Sequence, residues 1–242
     1  MMQSITPGID GVLLVDKAPG MTSHDVVDVA RRRLGIKKIG HCGTLDPMAT
    51  GLLILVIGRG TKIQDLLMAE DKEYVGTVTL GATTTTQDKE GETLEEREVP
   101  ALTETEIRAA FDAMLGSFEQ IPPMVSAIKQ GGVPLYKLAR KGKEVKRDPR
   151  PVRVDEYELL RIELPEIEFR VACTKGFYVR TYAHDIGQAL GCGGHLSALR
   201  RTRSGKFDLS RAVPFETLKE GDRFDILKAI ISLPEISRLR GA

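Results

Sequence analysis

The chain of 242 residues has no tryptophan, only three cysteines and no apolar run longer than residues 52–57. A helix that crosses a bilayer needs about 20 apolar residues, so the sequence predicts no membrane span. The first residues also lack the apolar core of a secretory signal, and we expect a cytoplasmic protein. Cys42, Cys173 and Cys192 include no CxxC pair. A disulfide framework or a zinc ribbon is therefore not supported, and buried or bystander thiols are expected.

Several catalytic motifs are missing as well. The chain has no GxxxxGKS or GxxxxGKT loop, no HExxH and no GxSxG, so the sequence does not indicate a P-loop NTPase, a zinc protease or an α/β-hydrolase. The HxE and PCxxC pattern of zinc deaminases is absent too. Only Cys192 and His195 stand at a zinc-ligand spacing, and we expect no metal site. A reaction without a cofactor, or no reaction, remains.

The charges are separated along the chain, although their sum is only +1. Residues 31–38 hold five basic residues and no acid, and residues 137–153 hold eight basic residues against two acids. A third basic cluster consists of Arg200, Arg201, Arg203 and Lys206. One basic cluster alone is more often a solvated surface, but three separated clusters can converge on a polyanion.

Periodicity predicts a mixture of helices and strands. Helices are expected over residues 24–34, from a capping box of Thr103 and Glu106 onward, and over residues 181–190. Strands are expected at residues 12–15, 52–57, 74–80, 152–160 and 167–172. Prolines and glycines break any long element in residues 120–151, a candidate insertion. Because the elements do not alternate in a βαβ rhythm, we expect an α+β fold with a mixed sheet.

One loop holds a conspicuous carboxylate. In GHCGTLDPMATG, residues 40–51, Asp46 stands between glycines and before a proline. A residue before proline is pushed toward an extended conformation, and Gly43 and Gly51 suit a tight loop that presents a side chain to a ligand. Asp-Pro is also common turn chemistry, so the dipeptide alone leaves both interpretations open.

Longer motifs reduce this ambiguity. The chain contains, in this order, KAPGMTS (17–23), GHCGTLDPMATGLL (40–53) and KGFYVRTYAHDIG (175–187). Together they resemble the bacterial-type tRNA pseudouridine-55 synthases, the TruB-like family. Further matches lie at residues 72–92, 120–145 and 191–207. The resemblance covers roughly residues 10–210.

The resemblance implies the pseudouridine synthase fold, with a mainly antiparallel sheet flanked by helices. It also implies an isomerase that detaches uracil from ribose, rotates it and rejoins it through carbon, at one uridine of the tRNA T loop and without a cofactor or metal. The family's nucleophilic aspartate falls on Asp46, and the arginine that pairs with it falls on Arg180. The family's active-site tyrosine, implied to stack on the target base and to assist loss of the C5 proton, falls on Tyr74. Attack on the ribose, attack on the base and removal of a sugar proton all remain open as the first step.

Other family positions imply contacts with the substrate. His41 matches a histidine that enters the T loop, and Leu199 matches a pocket leucine, for which a core role is equally open. Lys17 and Lys175 match motif lysines that serve as structural support or contact phosphate. The family counterpart of the insertion clasps the T stem-loop. The basic residues expected to contact RNA are Lys129, Lys137, Arg140, Lys141, Lys143, Lys146, Arg147, Arg200 and Arg201.

The chain departs from the family pattern in two places. Many relatives read TDT where residues 84–86 are all threonine, so Thr85 replaces an aspartate that helps to order RNA contacts, with Asp88 nearby. Many bacterial relatives also carry a C-terminal PUA domain, for which the roughly 35 residues after Phe207 leave no room. We expect a single catalytic domain over residues 1–242 that acts as a monomer. Its tail, residues 215–242, is expected to be helical until Pro234.

Two other classes of function remain as alternatives. The first is a tRNA-binding folding helper in which catalysis is secondary or lost; the presence of Asp46, Tyr74 and Arg180 argues against loss. The second is a glycosidase that acts on another nucleoside and releases the base. A single carboxylate without an evident partner acid fits the usual paired-carboxylate scheme poorly, and this class ranks last.

Overall fold

The structure, a computed structural model, describes residues 8–126, 128–139 and 145–241. Its strands, in chain order, are β1 (Gly11–Lys17), β2 (Ile39–Cys42), β3 (Thr50–Ile57), β4 (Lys72–Leu80), β5 (Ala82–Thr84), β6 (Thr93–Glu96), β7 (Gly116–Gln120), β8 (Lys129–Gln130), β9 (Val133–Pro134), β10 (Arg150–Glu163), β11 (Glu166–Cys173), β12 (Gly194–Ser204), β13 (Phe207–Asp208), β14 (Val213–Pro214) and β15 (Ile231–Ser232). Its helices are α1 (Ser23–Leu34), α2 (Gln64–Met68), α3 (Glu104–Asp112), α4 (Leu135–Ala139), α5 (Val179–Ala189), α6 (Phe215–Glu220), α7 (Arg223–Lys228) and α8 (Leu233–Arg240).

The chain divides into two compact units. The first unit comprises Met1–Lys72 and Arg200–Ala242, and the second comprises Glu73–Leu199. Strand β12 contributes residues to both units. The expectation of a single catalytic domain over residues 1–242 therefore stays a prediction.

Strand β3 is central to the first unit, and its apolar run at residues 52–57 is buried. Strand β1 pairs with it in antiparallel register, from Gly11 opposite Ile57 to Lys17 opposite Gly51. Strand β2 is also antiparallel to β3, whereas the end of β12 runs parallel to it, with Arg201 opposite Gly51. A strand covered on both faces needs an unbroken apolar sequence, which explains the run. The loop of residues 43–49 joins β2 to β3.

Helix α1 has well-defined ends. The Thr22 hydroxyl accepts a hydrogen bond from the Asp25 amide, and the Asp25 carboxylate accepts one from the Thr22 amide. This capping box satisfies two amides that have no partner within the helix. Gly35 ends the helix in the left-handed conformation, at φ 69°. The helix predicted over residues 24–34 is confirmed and begins one residue earlier.

The second unit has the strand order β12, β4, β11, β10, β7. Strand β10 is antiparallel to both β11 and β7. In the first unit, parallel pairs join β1 with β14 and β3 with β12. The predicted α+β class, with a mixed and mainly antiparallel sheet flanked by helices, is confirmed. The predicted capping box of Thr103 and Glu106 opens α3.

Aromatic side chains form the core of the second unit. The ring of Phe111, on α3, lies 5.2 Å from that of Tyr157, 5.5 Å from that of Phe169 and 5.7 Å from that of Tyr182, between centroids. Phe111, Phe169 and Tyr182 have no exposed surface. The contacts of Phe111 with Phe169 and Tyr182 are edge-to-face, and such contacts add to the free energy gained by burying the rings. They fix α3 and α5 against the sheet strands β10 and β11.

Some predicted boundaries were wrong. The strand expected at residues 152–160 is part of the longer β10, and α5 begins two residues before the helix expected at residues 181–190. Pro234 lies in the first turn of α8 instead of ending a helix. Proline lacks an amide proton. In the first turn of a helix this costs nothing, because the amides there have no hydrogen-bond partner within the helix.

The cysteines agree with the prediction of buried thiols. Cys42, Cys173 and Cys192 are buried and form no disulfide. Burial raises the pKa of the Cys42 thiol to about 11, so this thiol is uncharged at neutral pH. In the described part of the chain, no helix has the length and apolar character needed to span a membrane.

Replacing Phe111 by alanine should destabilise the protein by about 3–5 kcal/mol, because it removes a buried ring from the aromatic core. Urea denaturation measures the change. The matched control is Phe224→Ala, since the Phe224 side chain is 66% exposed; its cost should stay below about 1 kcal/mol. Equal losses from the two variants would contradict this description of the core.

Candidate active site

The loop that carries Asp46 is held at its start by helix α1. The buried Ser23 hydroxyl accepts a hydrogen bond of 2.8 Å from the Leu45 amide and donates one of 3.2 Å to the Leu45 carbonyl. The Asp46 carbonyl accepts a hydrogen bond of 3.0 Å from the Ala49 amide, which closes a turn. Asp46 itself is half-buried. The first turn of α1 therefore fixes the backbone directly before Asp46.

A buried lysine holds the backbone directly after Asp46. Lys17, at the end of β1, is 1% exposed. Its ammonium donates to the carbonyls of Met21 at 2.8 Å, Ala18 at 2.9 Å and Pro47 at 3.2 Å. The Gly20 amide also donates to the Pro47 carbonyl, at 2.9 Å. A desolvated charge is costly unless it is hydrogen-bonded, so these three carbonyls and the lysine depend on one another.

A buried arginine holds the two ends of the same loop. Arg201, on β12, is 1% exposed. Its Nε donates to the Leu52 carbonyl at 2.7 Å, and its Nη2 donates to the Gly43 carbonyl at 3.1 Å. Gly51 has φ 93°, and a Cβ there would lie 2.3 Å from the Arg201 carbonyl oxygen. Only glycine fits this close approach of β3 to β12.

His41, on β2, precedes the loop and is half-buried. Its carbonyl accepts a hydrogen bond of 3.1 Å from Gln64. Its ring lines a cleft of about 290 Å³ together with Gly43, Thr44 and other residues of the first unit. Burial first, and then the nearby charges of Arg201 and His24, lower the pKa of His41 below its usual value of 6.5. The ring is therefore uncharged at neutral pH.

The second unit contains a buried arginine of its own. Arg180 lies in the first turn of α5 and is 4% exposed. Its Nη1 donates to the Thr86 carbonyl at 3.1 Å and lies 3.4 Å from the Asp88 carboxylate. Its Nη2 donates to the Val125 carbonyl at 2.8 Å. The guanidinium is thus fixed between the segment of residues 84–92 and the start of the insertion.

The Asp88 carboxylate is a functional candidate to which sequence reasoning gave only a minor place. Asp88 is 3% exposed. Besides Arg180, it accepts hydrogen bonds from the Thr86 hydroxyl at 2.5 Å and from the Glu90 amide at 3.0 Å. The Thr85 hydroxyl accepts a bond of 3.1 Å from the Glu92 amide. Thr85 therefore supports the turn, while the buried acid of this segment is Asp88.

Gln120 is a second residue that sequence reasoning missed. It ends β7 and is 2% exposed. Its side-chain amide donates to the Tyr178 carbonyl at 3.1 Å and accepts from the Tyr178 amide at 2.8 Å. Tyr178 is the N-cap residue of α5, two positions before Arg180. No local motif signals this pairing, because it joins residues 58 positions apart.

The remaining candidates of the second unit differ in exposure. Tyr74 lies on β4 and is half-buried, and Lys175 is exposed in the turn before α5. Leu199, on β12, is 8% exposed. In the part of the chain that the structure describes, no group of three or more His, Cys, Asp or Glu side chains is arranged to hold a metal ion.

The basic residues expected to contact RNA fall into separate groups. Arg200 forms a bidentate ion pair with Asp16, at 2.7 and 2.9 Å. Arg147 donates to the Pro122 carbonyl at 3.2 Å, and Lys146 is exposed. Lys129 lies in β8 and Lys137 in α4. Outside the described residues are Arg140, Lys141 and Lys143.

The lowered pKa of His41 predicts that the stability of the protein depends on pH. Since its folded-state pKa lies below 6.5, the unfolded chain binds this proton first as the pH falls. The free energy of unfolding should therefore decrease as the pH falls below about 6.5, and it should gain nothing from His41 above that pH. Urea denaturation between about pH 7.5 and about pH 5.5 measures this effect in the wild type and in His41→Gln, which lacks the proton. Parallel pH curves for the two proteins would refute it.

Comparison with known proteins identifies the family. Residues 31–179 match the family model of the N-terminal domain of TruB family pseudouridylate synthases, and residues 180–228 match the model of the tRNA pseudouridylate synthase B C-terminal domain. The tRNA pseudouridine synthase B of Opitutus terrae is 55% identical over 230 residues, which cover 95% of this chain and 91% of that protein. The protein of the same name from Syntrophotalea carbinolica is 47% identical over 95% of this chain and 75% of its own length.

A solved structure has a similar fold over nearly the whole chain. A chain in the crystal structure of a Cbf5-Nop10-Gar1 complex is 31% identical, with a TM-score of 0.72 over 95% of this chain. This chain spans 62% of the length of that one. The resemblance inferred from the motifs is thus confirmed over nearly the whole sequence. The chain belongs to the TruB family of pseudouridylate synthases.

Proposed function

We propose that this protein converts uridine to pseudouridine in tRNA, at position 55 of the T loop, with the Asp46 carboxylate as the reactive group. The observation that carries the proposal is the loop around Asp46, which Ser23, Lys17 and Arg201 hold through backbone carbonyls. A plain turn does not need such fixed placement, whereas a reactive side chain does. The names of the curated relatives support tRNA as the substrate class.

The reaction needs no external reagent. The bond from C1′ to N1 breaks, a bond from C1′ to C5 forms, and the C5 proton is replaced by a proton on N1. Whether Asp46 attacks the ribose, attacks the base or removes a sugar proton, it acts as an ionised carboxylate. A free aspartate has a pKa of about 3.9, so this form predominates at neutral pH.

Arg180 has the properties of a fixed counter-charge. We carry over from the family motif its pairing with Asp46, which would keep a desolvated carboxylate ionised and aimed. Asp88 and two carbonyls hold the guanidinium in one orientation, and we assign to Asp88 the role of positioning Arg180. For Tyr74 the proposed role is stacking on the target base, and for Leu199 it is a place in the wall of the same pocket.

The target uridine must leave its stack before it reacts, at a cost of a few kcal/mol. His41 is the proposed occupant of the space that the base leaves. A stacking contact of this kind contributes about 1–3 kcal/mol. Because the lowered pKa keeps the ring neutral, His41 would contact bases by stacking and hydrogen bonding and not as a cation.

Two of the expected substrate contacts have a different proposed role. Lys17 and Arg201 are buried and donate to backbone carbonyls of the Asp46 loop. We therefore assign them to positioning the loop and not to phosphate contact. Phosphate contact is proposed for Lys175 and for the basic residues of the insertion, residues 120–151. Such contacts set affinity and salt dependence more than sequence choice.

The decisive variant is Asp46→Asn, assayed on an unmodified tRNA transcript. Pseudouridine is detected by nucleoside analysis and mapped to its position, while RNA affinity is measured in parallel. We expect product at the T-loop uridine from the wild type and a loss of at least about 1000-fold in the variant, with RNA affinity unchanged within about twofold. Asp65→Asn, which removes an exposed carboxylate of the same unit, should behave as the wild type.

Product from Asp46→Asn at the wild-type rate would refute the role of Asp46. RNA binding without product from either protein would favour the folding-helper alternative over catalysis. Release of free uracil instead of pseudouridine would favour the glycosidase alternative.

A further inference from the structure

The basic segment of residues 31–38 has no part in the proposed chemistry, yet it presents unpaired charge. Arg32, Lys37 and Lys38 are exposed, as is Lys62 in the short 3₁₀ turn Gly58–Ile63. In the described ranges, none of these four side chains forms an ion pair or a hydrogen bond. The neighbouring Arg59, by contrast, lies 3.7 Å from Asp10. We call the four cations the rim.

The rim residues come from neighbouring segments of the first unit. The Lys38 carbonyl accepts a hydrogen bond of 2.8 Å from the Gly58 amide, at the start of the turn that carries Lys62. Arg32 lies in the last turn of α1 and Lys37 follows the helix, at the end where the helix dipole is negative and favours cations. Like charges held together without acidic partners raise the local positive potential, which attracts a polyanion.

One cleft borders the rim, and a second cleft borders the Asp46 loop. One cleft of about 470 Å³ is lined by Arg31, Gly35, Ile36 and Lys37. A second cleft, of about 290 Å³, is lined by Arg31 as well as by His41, Gly43 and Thr44. Arg31 lines both clefts, and we call the two clefts together the Arg31 groove.

The walls of the groove suit a nucleic acid. The charge of Arg31 is partly compensated by Asp28 at 3.0 Å, so the net positive charge resides mainly on the rim. The inner part offers the His41 ring and the Met68 side chain, which is 41% exposed. The cations at the outer end suit contact with RNA phosphates. The flat or apolar groups at the inner end suit stacking with RNA bases.

We propose that the rim and the outer cleft of the Arg31 groove, which Arg31 and Lys37 line, bind the sugar-phosphate backbone of the tRNA substrate outside the T stem-loop. Helix α1 has 12 residues and a length of about 18 Å. Its first turn contacts the Asp46 loop, so the rim at its other end lies well away from the target nucleotide. The T stem-loop itself has a proposed clasp in the insertion, which leaves the rim for another segment of the same molecule. This inference rests on the proposed function.

The test variant is Arg32→Gln, Lys37→Gln and Lys38→Gln combined. The dissociation constant is measured for a full-length tRNA transcript and for an isolated T stem-loop over a series of salt concentrations. We expect binding of the full-length tRNA to weaken at least about fivefold and its logarithmic salt slope to fall by about 2–3, while binding of the stem-loop stays unchanged. Binding is the readout, so the test holds even if no pseudouridine forms.

The matched control removes one arginine and two lysines elsewhere in the same unit, as Arg211→Gln, Lys219→Gln and Lys228→Gln combined. It loses the same net charge but should keep its affinity for both RNAs within about twofold. If the control weakened binding of the full-length tRNA equally, the effect would come from net charge alone, and the proposal would be overturned. Equal weakening toward the stem-loop, or none toward either RNA, would also overturn it. Unchanged thermal unfolding of both variants shows that the fold is kept.

Discussion

The candidate site depends on two cations that are buried inside the first unit. Lys17 and Arg201 are each 1% exposed, and their donors point at carbonyls on either side of Asp46. A buried charge of this kind is stable only while its acceptors stay in place, so the loop and the cations stabilise one geometry. The strand pairing of β3 with β12, which needs Gly51, brings Arg201 to that position.

The second unit also contains a buried cation held by fixed acceptors, and one of these acceptors is a carboxylate. There the buried cation is Arg180, and its acceptors are the Asp88 carboxylate and the carbonyls of Thr86 and Val125. Gln120 fixes the N-cap of α5 through both hydrogen bonds of its side-chain amide. In both units, therefore, long-range hydrogen bonds to the backbone determine where a charged side chain stands. The aromatic core around Phe111 supplies the rigid base for this arrangement in the second unit.

The sequence predicted what is local and missed what is long-range. Helix α1, the capping box of α3, strand β3 and the tight loop around Asp46 follow from short patterns. Arg201 was grouped with surface cations because its sequence neighbours are basic, and only the pairing of β12 with β3 shows that it is buried. Asp88 is important because it contacts Arg180, which lies 92 positions away in the sequence. Pro234 was taken as a helix end, although proline is equally suited to a first turn.

The central claim is that buried cations position the Asp46 loop for the reaction, and Arg201→Lys tests it most directly. Lysine keeps the charge but loses the planar fork that reaches both Leu52 and Gly43. Single-turnover assays with saturating enzyme give the rate constant on bound tRNA, and equilibrium binding gives the affinity. We predict a rate constant at least about tenfold lower, with tRNA affinity unchanged within about twofold. A weaker affinity with an unchanged rate constant would contradict the claim and would make Arg201 a phosphate contact.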